Sequence, residues 1–125
     1  MIGKYPAQAL ISLKLAEIQP SQFFVDEDKL SAISDFIRTP EDIIIPVMPH
    51  ERRFVSLDGH TRLYYACLLG WDHVRAVQDT ADDGVYRFIA EARKRNVSTP
   101  ADLRLLPHDE YEEKWNRFCD RIFAG

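Results

Sequence analysis

Cysteine, basic charge and long apolar runs are all scarce in this sequence, and each scarcity excludes a class of protein. The two cysteines, Cys67 and Cys119, fall inside apolar helical patterns, which favours reduced, buried thiols over a disulfide or a metal pair. The four histidines have no spacing typical of a zinc site. No apolar run approaches the roughly 18 residues of a membrane span, and residues 1–10 lack the layout of a signal peptide. We therefore expect a cytoplasmic protein with no membrane partner.

Acidic residues outnumber basic ones in this sequence. Sixteen Lys and Arg residues oppose twenty Asp and Glu residues, which gives a net charge of −4. Such a chain has no general attraction for polyanions, so direct nucleic-acid binding is disfavoured. With 125 residues, of which 46% are hydrophobic and 29% charged, the chain fits one soluble globular domain over residues 1–125. The sequence is also compatible with a homo-oligomer.

Hydrophobic periodicity predicts an α/β (α+β) fold made of a small mixed sheet with helices. The α/β part covers residues 11–79, and a helical C-terminal extension over residues 80–125 packs on it. Proline interrupts one strand at Pro46, so this strand is expected to lie near a sheet edge or to begin at Val47. The predicted strands are residues 11–16, Ile43–Met48, Phe54–Leu57 and Val74–Val77.

The helices follow from apolar spacing and from capping signals. One helix is predicted over residues 28–38, with Phe36 on its apolar face. The extension is predicted to be all helical, and Asp109 with Glu112 forms a capping-box pattern at the start of its last helix. The side of that helix that carries Tyr111, Trp115 and Phe118 is interpreted as core or interface packing.

One segment carries chemistry, the Ser-Leu-Asp-Gly-His-Thr-Arg of residues 56–62. It is predicted to run from a strand end, through a glycine turn, into a helix whose first N–H groups and positive dipole end attract a phosphate or carboxylate. Arg62 can add a bidentate contact, Thr61 a hydroxyl and His60 a donor. Gly59 lets the backbone approach a ligand closely. The segment therefore predicts an anion site.

The role of the aspartate at the start of this segment stays open. Asp58 can hold a Mg²⁺ ion that bridges phosphates, or it can orient His60. A plainer alternative is that the segment only turns a corner, with Asp58 as a helix cap and Arg62 as a solvated first-turn residue.

Residues 11–79 resemble the ParB/sulfiredoxin-like fold. The shared features are an opening strand, a Pro-Ser loop, a helix, an Ile-Pro-Val strand, a Phe-Val-Ser-Leu strand, the Asp-Gly-His-Thr-Arg segment and a Leu-Gly-Trp before the last strand. The nearest motif is the Asp-Gly-His-His-Arg of free serine kinases of this fold, from which Thr61 alone departs. The resemblance implies that Asp58 to Arg62 hold the phosphates of a nucleotide (ATP, ADP or CTP) with Mg²⁺.

The sequence departs from each known branch of that fold. Sulfiredoxins carry a Gly-Cys-His-Arg nucleophile motif, and His60 stands in place of their cysteine, which excludes thiol chemistry. ParB proteins carry Gly-Glu-Arg-Arg and continue into a DNA-reading region, for which the 46 residues after Asp79 are too few and too acidic. The serine kinases place a catalytic glutamate in the loop before the first helix, where this chain has Phe23 or a neighbour of it. Glu27 is the nearby candidate base, although a first-turn acid that favours the helix dipole is the alternative.

Two functional classes follow. The first is a small-molecule phosphotransferase in which Glu27 and Asp58 act in catalysis. The second is a non-enzymatic regulatory or partition-related module that senses a nucleotide and binds a protein or DNA partner. An acid from residues 21–28 beside the phosphate position would favour the enzyme. Two further segments keep alternatives open: His50–Arg53 as a phosphate grip or a solvated turn, and Tyr64 with Tyr65, of which one is expected in the core and the other at the pocket.

Overall fold

A five-stranded mixed sheet in the order β1-β6-β4-β5-β2 lies at the centre of the structure, which is a computed structural model that describes residues 9–124. Together with the helices it makes the fold α+β, as the sequence predicts. A second sheet pairs β3 with β7. The strands are β1 (Ile11–Lys14), β2 (Ile18–Pro20), β3 (Phe24–Asp26), β4 (Ile44–His50), β5 (Arg53–Ser56), β6 (His73–Gln78) and β7 (Arg104–Leu106).

Helices connect and cover these strands. They are α1 (Glu27–Ile33), α2 (His60–Leu68), α3 (Val85–Lys94), α4 (His108–Tyr111) and α5 (Arg117–Ala124). A π-helical turn over Glu112–Asn116 joins α4 to α5. Among residues 9–124, no helix is both long and apolar enough to cross a bilayer.

Strand β4 is central, and the expectation of an edge strand was wrong. It runs parallel to β6 and antiparallel to β5, and it begins at Ile44. Pro46 is tolerated because its backbone polar groups point towards β5, at a position just beyond the last residue of that strand. There the Pro46 carbonyl accepts from the Leu57 N–H at 2.9 Å. The Val47 carbonyl points towards β6 and accepts from the Asp79 N–H, which directly follows that strand. The missing N–H therefore removes no bond of the ladder.

The C-terminal extension is not all helical. Strand β7 pairs in parallel with β3, with Phe24 opposite Arg104 and Asp26 opposite Leu106. The prediction missed it because a three-residue strand shows too little alternation to separate it from a loop. The last helical segment also begins at His108 rather than after Asp109, so the capping-box prediction there was wrong.

Helix α1 is shorter than predicted. It ends at Ile33, where the Ser34 hydroxyl donates to the Ser31 carbonyl at 2.9 Å and so competes with the helical bonds. The chain then turns, which buries Ile37 and leaves Phe36 79% exposed. The prediction that Phe36 faces the core was therefore wrong.

The core lies between the central sheet and the helices that cover it. Helix α2 contacts α1, β3 and β6, and α3 contacts β2. The aromatic side of the last helical segment joins this core as predicted, since Trp115 meets the ring of Phe23 edge-on at 5.0 Å. The fully buried apolar side chains include Ile18, Phe23, Val25, Ile43, Ile45, Val47, Val55, Leu63, Val74 and Val97.

Candidate functional site

The junction between β5 and α2 has the geometry that the sequence predicts. Strand β5 ends at Ser56 and α2 begins at His60, with Gly59 as its N-cap at a φ of 78°. The first helical bond runs from the Leu63 N–H to the Gly59 carbonyl at 3.0 Å. No side chain of the described residues caps this helix, in contrast to α1, which Asp26 caps. No side chain of the described residues therefore competes as a cap for an anion that the positive end of the α2 dipole attracts.

Five consecutive residues of the predicted segment, Asp58 to Arg62, line one cavity of about 300 Å³. Five more residues from other elements complete its lining. The whole set is Gln22, Lys29, Ala32, Ile33, Asp58, Gly59, His60, Thr61, Arg62 and Tyr111. The structure thus brings the N-terminus of a nine-residue helix together with two cationic side chains.

His60 acts as a buried, neutral acceptor rather than as a donor to a ligand through Nε2. Its side chain is 5% exposed, and its Nε2 accepts from the Ser21 N–H at 3.3 Å and lies 2.8 Å from the Ser56 hydroxyl. Burial lowers the pKa of His60 to about 4; Asp58 opposes this shift and Arg62 adds to it. Ser56 has no exposed surface, so the Ser56–His60 pair is structural and not a nucleophile with its base.

Arg62 has a structural task that the sequence did not reveal. Its Nη1 donates to the Ile44 carbonyl at 2.7 Å, at the part of β4 that β5 does not reach. A Cβ at Gly59 would lie 2.8 Å from Arg62 Nη2, so the guanidinium packs directly beneath the glycine. The guanidinium therefore supports the turn and lines the cavity at the same time.

We expect Arg62→Ala to lower the free energy of unfolding by about 1.5–3 kcal/mol, because a buried carbonyl loses a charged donor. Arg62→Lys should recover only part of this, since a lysine lacks the planar fork. Urea denaturation of both variants checks the expectation. An unchanged midpoint for Arg62→Ala would contradict it.

The two acidic candidates differ in where they lie. Asp58 lines the cavity, and its Oδ1 accepts from the Gly59 N–H at 2.7 Å. Glu27 is the first residue of α1, is exposed and is not part of the cavity lining. The structure therefore places Glu27 as the first-turn acid of the alternative interpretation.

Sequence reasoning missed the wall that faces the motif. This wall consists of Tyr111 on α4, Lys29 on α1 and Gln22 between β2 and β3. The Tyr111 Oη lies 3.4 Å from Lys29 Nζ and 3.2 Å from Gln22 Nε2. Two features of the sequence could have indicated it. Tyr111 is the one hydroxyl-bearing residue among Tyr111, Trp115 and Phe118, and Lys29 is the sole basic residue between positions 21 and 37. Neither signal indicates which cavity these side chains would reach.

A second cavity of about 270 Å³ adjoins the first, because Gln22 and His60 line both. Its wall is more apolar and includes the rings of Phe88 and Trp115. The remaining lining residues are Ser21, Leu57, Ala81, Asp82, Gly84 and Val85. The two cavities thus offer a polar, cationic space beside an aromatic one.

An acidic group near α1 resembles a metal site, but hydrogen bonds account for it. One ligand atom each from Asp26, Asp28 and His108 lies within 4.8 Å of the others. Asp26 Oδ1 accepts from the Asp28 N–H, and Asp26 Oδ2 lies 2.7 Å from His108 Nδ1. The bond to Asp26 raises the pKa of His108. The group therefore caps α1 and ties α4 to β3.

The other residues that the sequence singled out lie away from the cavities. Tyr64 and Tyr65 are both half-buried, and neither lines either cavity, so the expectation of one at the pocket was wrong. The hairpin residues at the end of β4 form a polar turn in which Glu51 pairs with Arg93 at 2.8 Å. Cys67 and Cys119 are free thiols, half-buried rather than buried, and burial raises the pKa of each.

Comparison with known proteins adds a fold neighbour and no activity. The chain is similar to the crystal structure of protein Atu1540 from Agrobacterium tumefaciens, with a TM-score of 0.53 and 18% sequence identity. The likeness covers 76% of this chain and 61% of that one, so the chain spans about three fifths of that protein's length. At this identity the likeness shows a common fold alone. No protein-family model matches the chain, and no curated protein matches it.

Proposed function

We propose that this protein binds the phosphate group of a nucleotide or small phosphorylated molecule in the cavity at the start of α2. One observation carries the proposal: the uncapped N-terminus of α2 shares a cavity of about 300 Å³ with Lys29 and Arg62. Helix dipole and cationic side chains both favour an anion there. Asp58 is the acid in this lining, so the cationic groups outnumber it.

The adjoining cavities favour a nucleotide over inorganic phosphate as the ligand. The neighbouring cavity supplies the rings of Phe88 and Trp115, against which the base of a nucleotide can stack while its phosphate lies at the start of α2. Aromatic walls with a few polar groups are typical of sites for flat ligands. The likeness of residues 11–79 to the ParB/sulfiredoxin-like fold agrees with this proposal. Asp58 would hold a Mg²⁺ ion that accompanies the ligand, and the ion would neutralise part of the phosphate charge.

Between the two functional classes, the lining favours a binding module over a phosphotransferase. The serine-kinase type of phosphotransferase that the sequence suggests would use an acid from residues 21–28 as the base for the acceptor hydroxyl. Asp26, Glu27 and Asp28 are absent from the lining of both cavities as the described residues form them. Asp26 is in addition occupied by the Asp28 N–H and by His108. We therefore propose that the site binds the phosphate group and does not transfer it.

A panel of ATP, ADP, CTP and inorganic phosphate, each with and without Mg²⁺, tests the proposal by thermal shift and calorimetry. A bound ligand at a hundredfold excess over its Kd should stabilise the protein by about 2.7 kcal/mol. Lys29→Met should weaken the binding roughly fivefold, since an exposed charge adds about 1 kcal/mol, and salt should reduce the difference.

Lys94→Met is the matched control, because Lys94 is an exposed lysine at the end of α3 that lies outside both cavities. It should leave the affinity unchanged. If none of the panel binds the unmodified protein, or if both lysine variants bind as the unmodified protein does, the proposal fails.

A further inference from the structure

Two donors converge on one buried hydroxyl at the wall opposite the motif. Tyr111 is 3% exposed, and its Oη accepts from Lys29 Nζ at 3.4 Å and from Gln22 Nε2 at 3.2 Å. An ammonium group has no lone pair, so Lys29 can only donate. Gln22 Nε2 also donates to the Phe24 carbonyl at 2.7 Å, which fixes that atom as the amide nitrogen. Both contacts therefore use the lone pairs of Tyr111.

The proton of that hydroxyl has no acceptor among residues 9–124, because each bond that Tyr111 Oη makes there is one it accepts. Burial raises the pKa of Tyr111, with Lys29 in opposition, so the hydroxyl keeps its proton at neutral pH. A buried donor without an acceptor costs free energy. Since Tyr111 lines the cavity that holds the start of α2, an acceptor inside this cavity would satisfy it.

Lys29 adds positive charge at the same place. No carboxylate of the described residues lies within 4.0 Å of its Nζ, and the ammonium lies 4.8 Å from the centre of the Tyr111 ring. The hydrogen bond to the neutral Tyr111 hydroxyl thus keeps the ammonium group at the cavity, and no carboxylate of the described residues pairs with it there. An ammonium that donates to a hydroxyl also polarises the O–H bond and strengthens its next hydrogen bond.

We propose that Tyr111 and Lys29 form a second anion-binding wall and that the site therefore selects a terminal phosphate group over a phosphodiester. This inference rests on the proposed function. A terminal phosphate has three non-bridging oxygens, enough to meet the N–H groups of α2 on one wall and the Tyr111 hydroxyl on the other. A diester has two such oxygens and a single negative charge. The C-terminal extension thereby contributes a ligand contact.

The experiment is an NMR titration with methyl phosphate and dimethyl phosphate, which differ in one ester bond. The unmodified protein should bind methyl phosphate at least tenfold more tightly than dimethyl phosphate. Tyr111→Phe should bind methyl phosphate about tenfold more weakly, which is the loss of one hydrogen bond to a charged acceptor. Tyr65→Phe is the control, since the Tyr65 hydroxyl donates to the Ser34 carbonyl outside the cavity.

The outcomes separate the two proposals. If the unmodified protein binds neither ester, both the proposed function and this inference fail. If it binds methyl phosphate but Tyr111→Phe binds it equally well, or if the diester binds as tightly, the inference alone fails. Should Tyr111→Phe be too unstable to titrate, Lys29→Met in the same assay decides: equal preference for mono- and diester supports the second wall, and an unchanged preference overturns it.

Discussion

Gly59→Ala is expected to destabilise the protein by about 2–5 kcal/mol, a large share of the about 5–15 kcal/mol that holds a typical domain folded. Gly59 has a φ of 78°, a conformation that costs an L-residue about 1–2 kcal/mol. The new methyl group would also lie 2.5 Å from Ile45 Cδ1 inside a closely packed core. Overpacking of this kind adds about 1–3 kcal/mol.

Two companion variants separate the strain from the clash. Gly70→Ala carries the same strain, with a φ of 76°, but its Cβ would meet nothing within 4 Å, so about 1 kcal/mol is expected. Ile45→Val removes Cδ1 and should make Gly59→Ala less costly in the double variant than the sum of the two single changes. Chemical denaturation measures all four proteins. Equal losses for Gly59→Ala and Gly70→Ala would show that the packing against Ile45 is not tight.

His60→Ala should lower the free energy of unfolding by about 3–4 kcal/mol. The change removes the acceptor of the Ser21 N–H and the 2.8 Å partner of the Ser56 hydroxyl. The Ser21 N–H is left without an acceptor, which costs about 1–3 kcal/mol, and the lost ring leaves a void. His60→Gln should cost much less, because the glutamine oxygen can replace Nε2 as an acceptor.

The same histidine should make stability depend on pH. Burial holds the pKa of His60 at about 4 in the folded protein, against 6.5 for an ordinary histidine. Below pH 6.5 the unfolded chain therefore binds a proton that the folded protein does not, and stability falls as pH falls towards 4. Between pH 7 and pH 5 the loss should be about 2 kcal/mol. Urea midpoints for the unmodified protein and His60→Gln over that interval measure it.

His108 acts in the opposite direction and must be accounted for. Its hydrogen bond with Asp26 raises its pKa, so its contribution is present below pH 6.5 and is lost as pH rises through the raised value. His60→Gln leaves this contribution in place. The difference between the two proteins therefore reports His60 alone, and identical pH profiles would refute a buried, neutral His60.

The sequence predicts the β5–α2 junction because that part of the site is local. An Asp-Gly pair between an apolar strand and an amphipathic helix specifies a turn with positive φ, and the helix start follows within a residue of it. Asp58 to Arg62 therefore lie next to one another at the cavity, as their spacing predicts. No long-range contact is needed to infer any of these positions.

The rest of the site depends on contacts between distant segments. Lys29 and Tyr111 meet because β7 pairs with β3 and so brings α4 beside α1. A three-residue strand shows almost no alternation of apolar and polar residues, so the sequence does not predict this pairing. Arg62 likewise looks like a free phosphate ligand until β4 is seen to extend past β5, which leaves the Ile44 carbonyl for it to bind.

Because its walls come from distant segments, the cavity is complete only after Tyr111 has been synthesised. Ribosomes add about 5–20 residues per second, so the roughly 50 residues between Arg62 and Tyr111 take on the order of 2–10 seconds. Until Tyr111 has been synthesised, β3 lacks its partner β7 and the wall that carries Tyr111 is missing. An unpaired strand edge invites association with other chains. Binding of a terminal phosphate that needs both walls would thus report that translation has passed Tyr111.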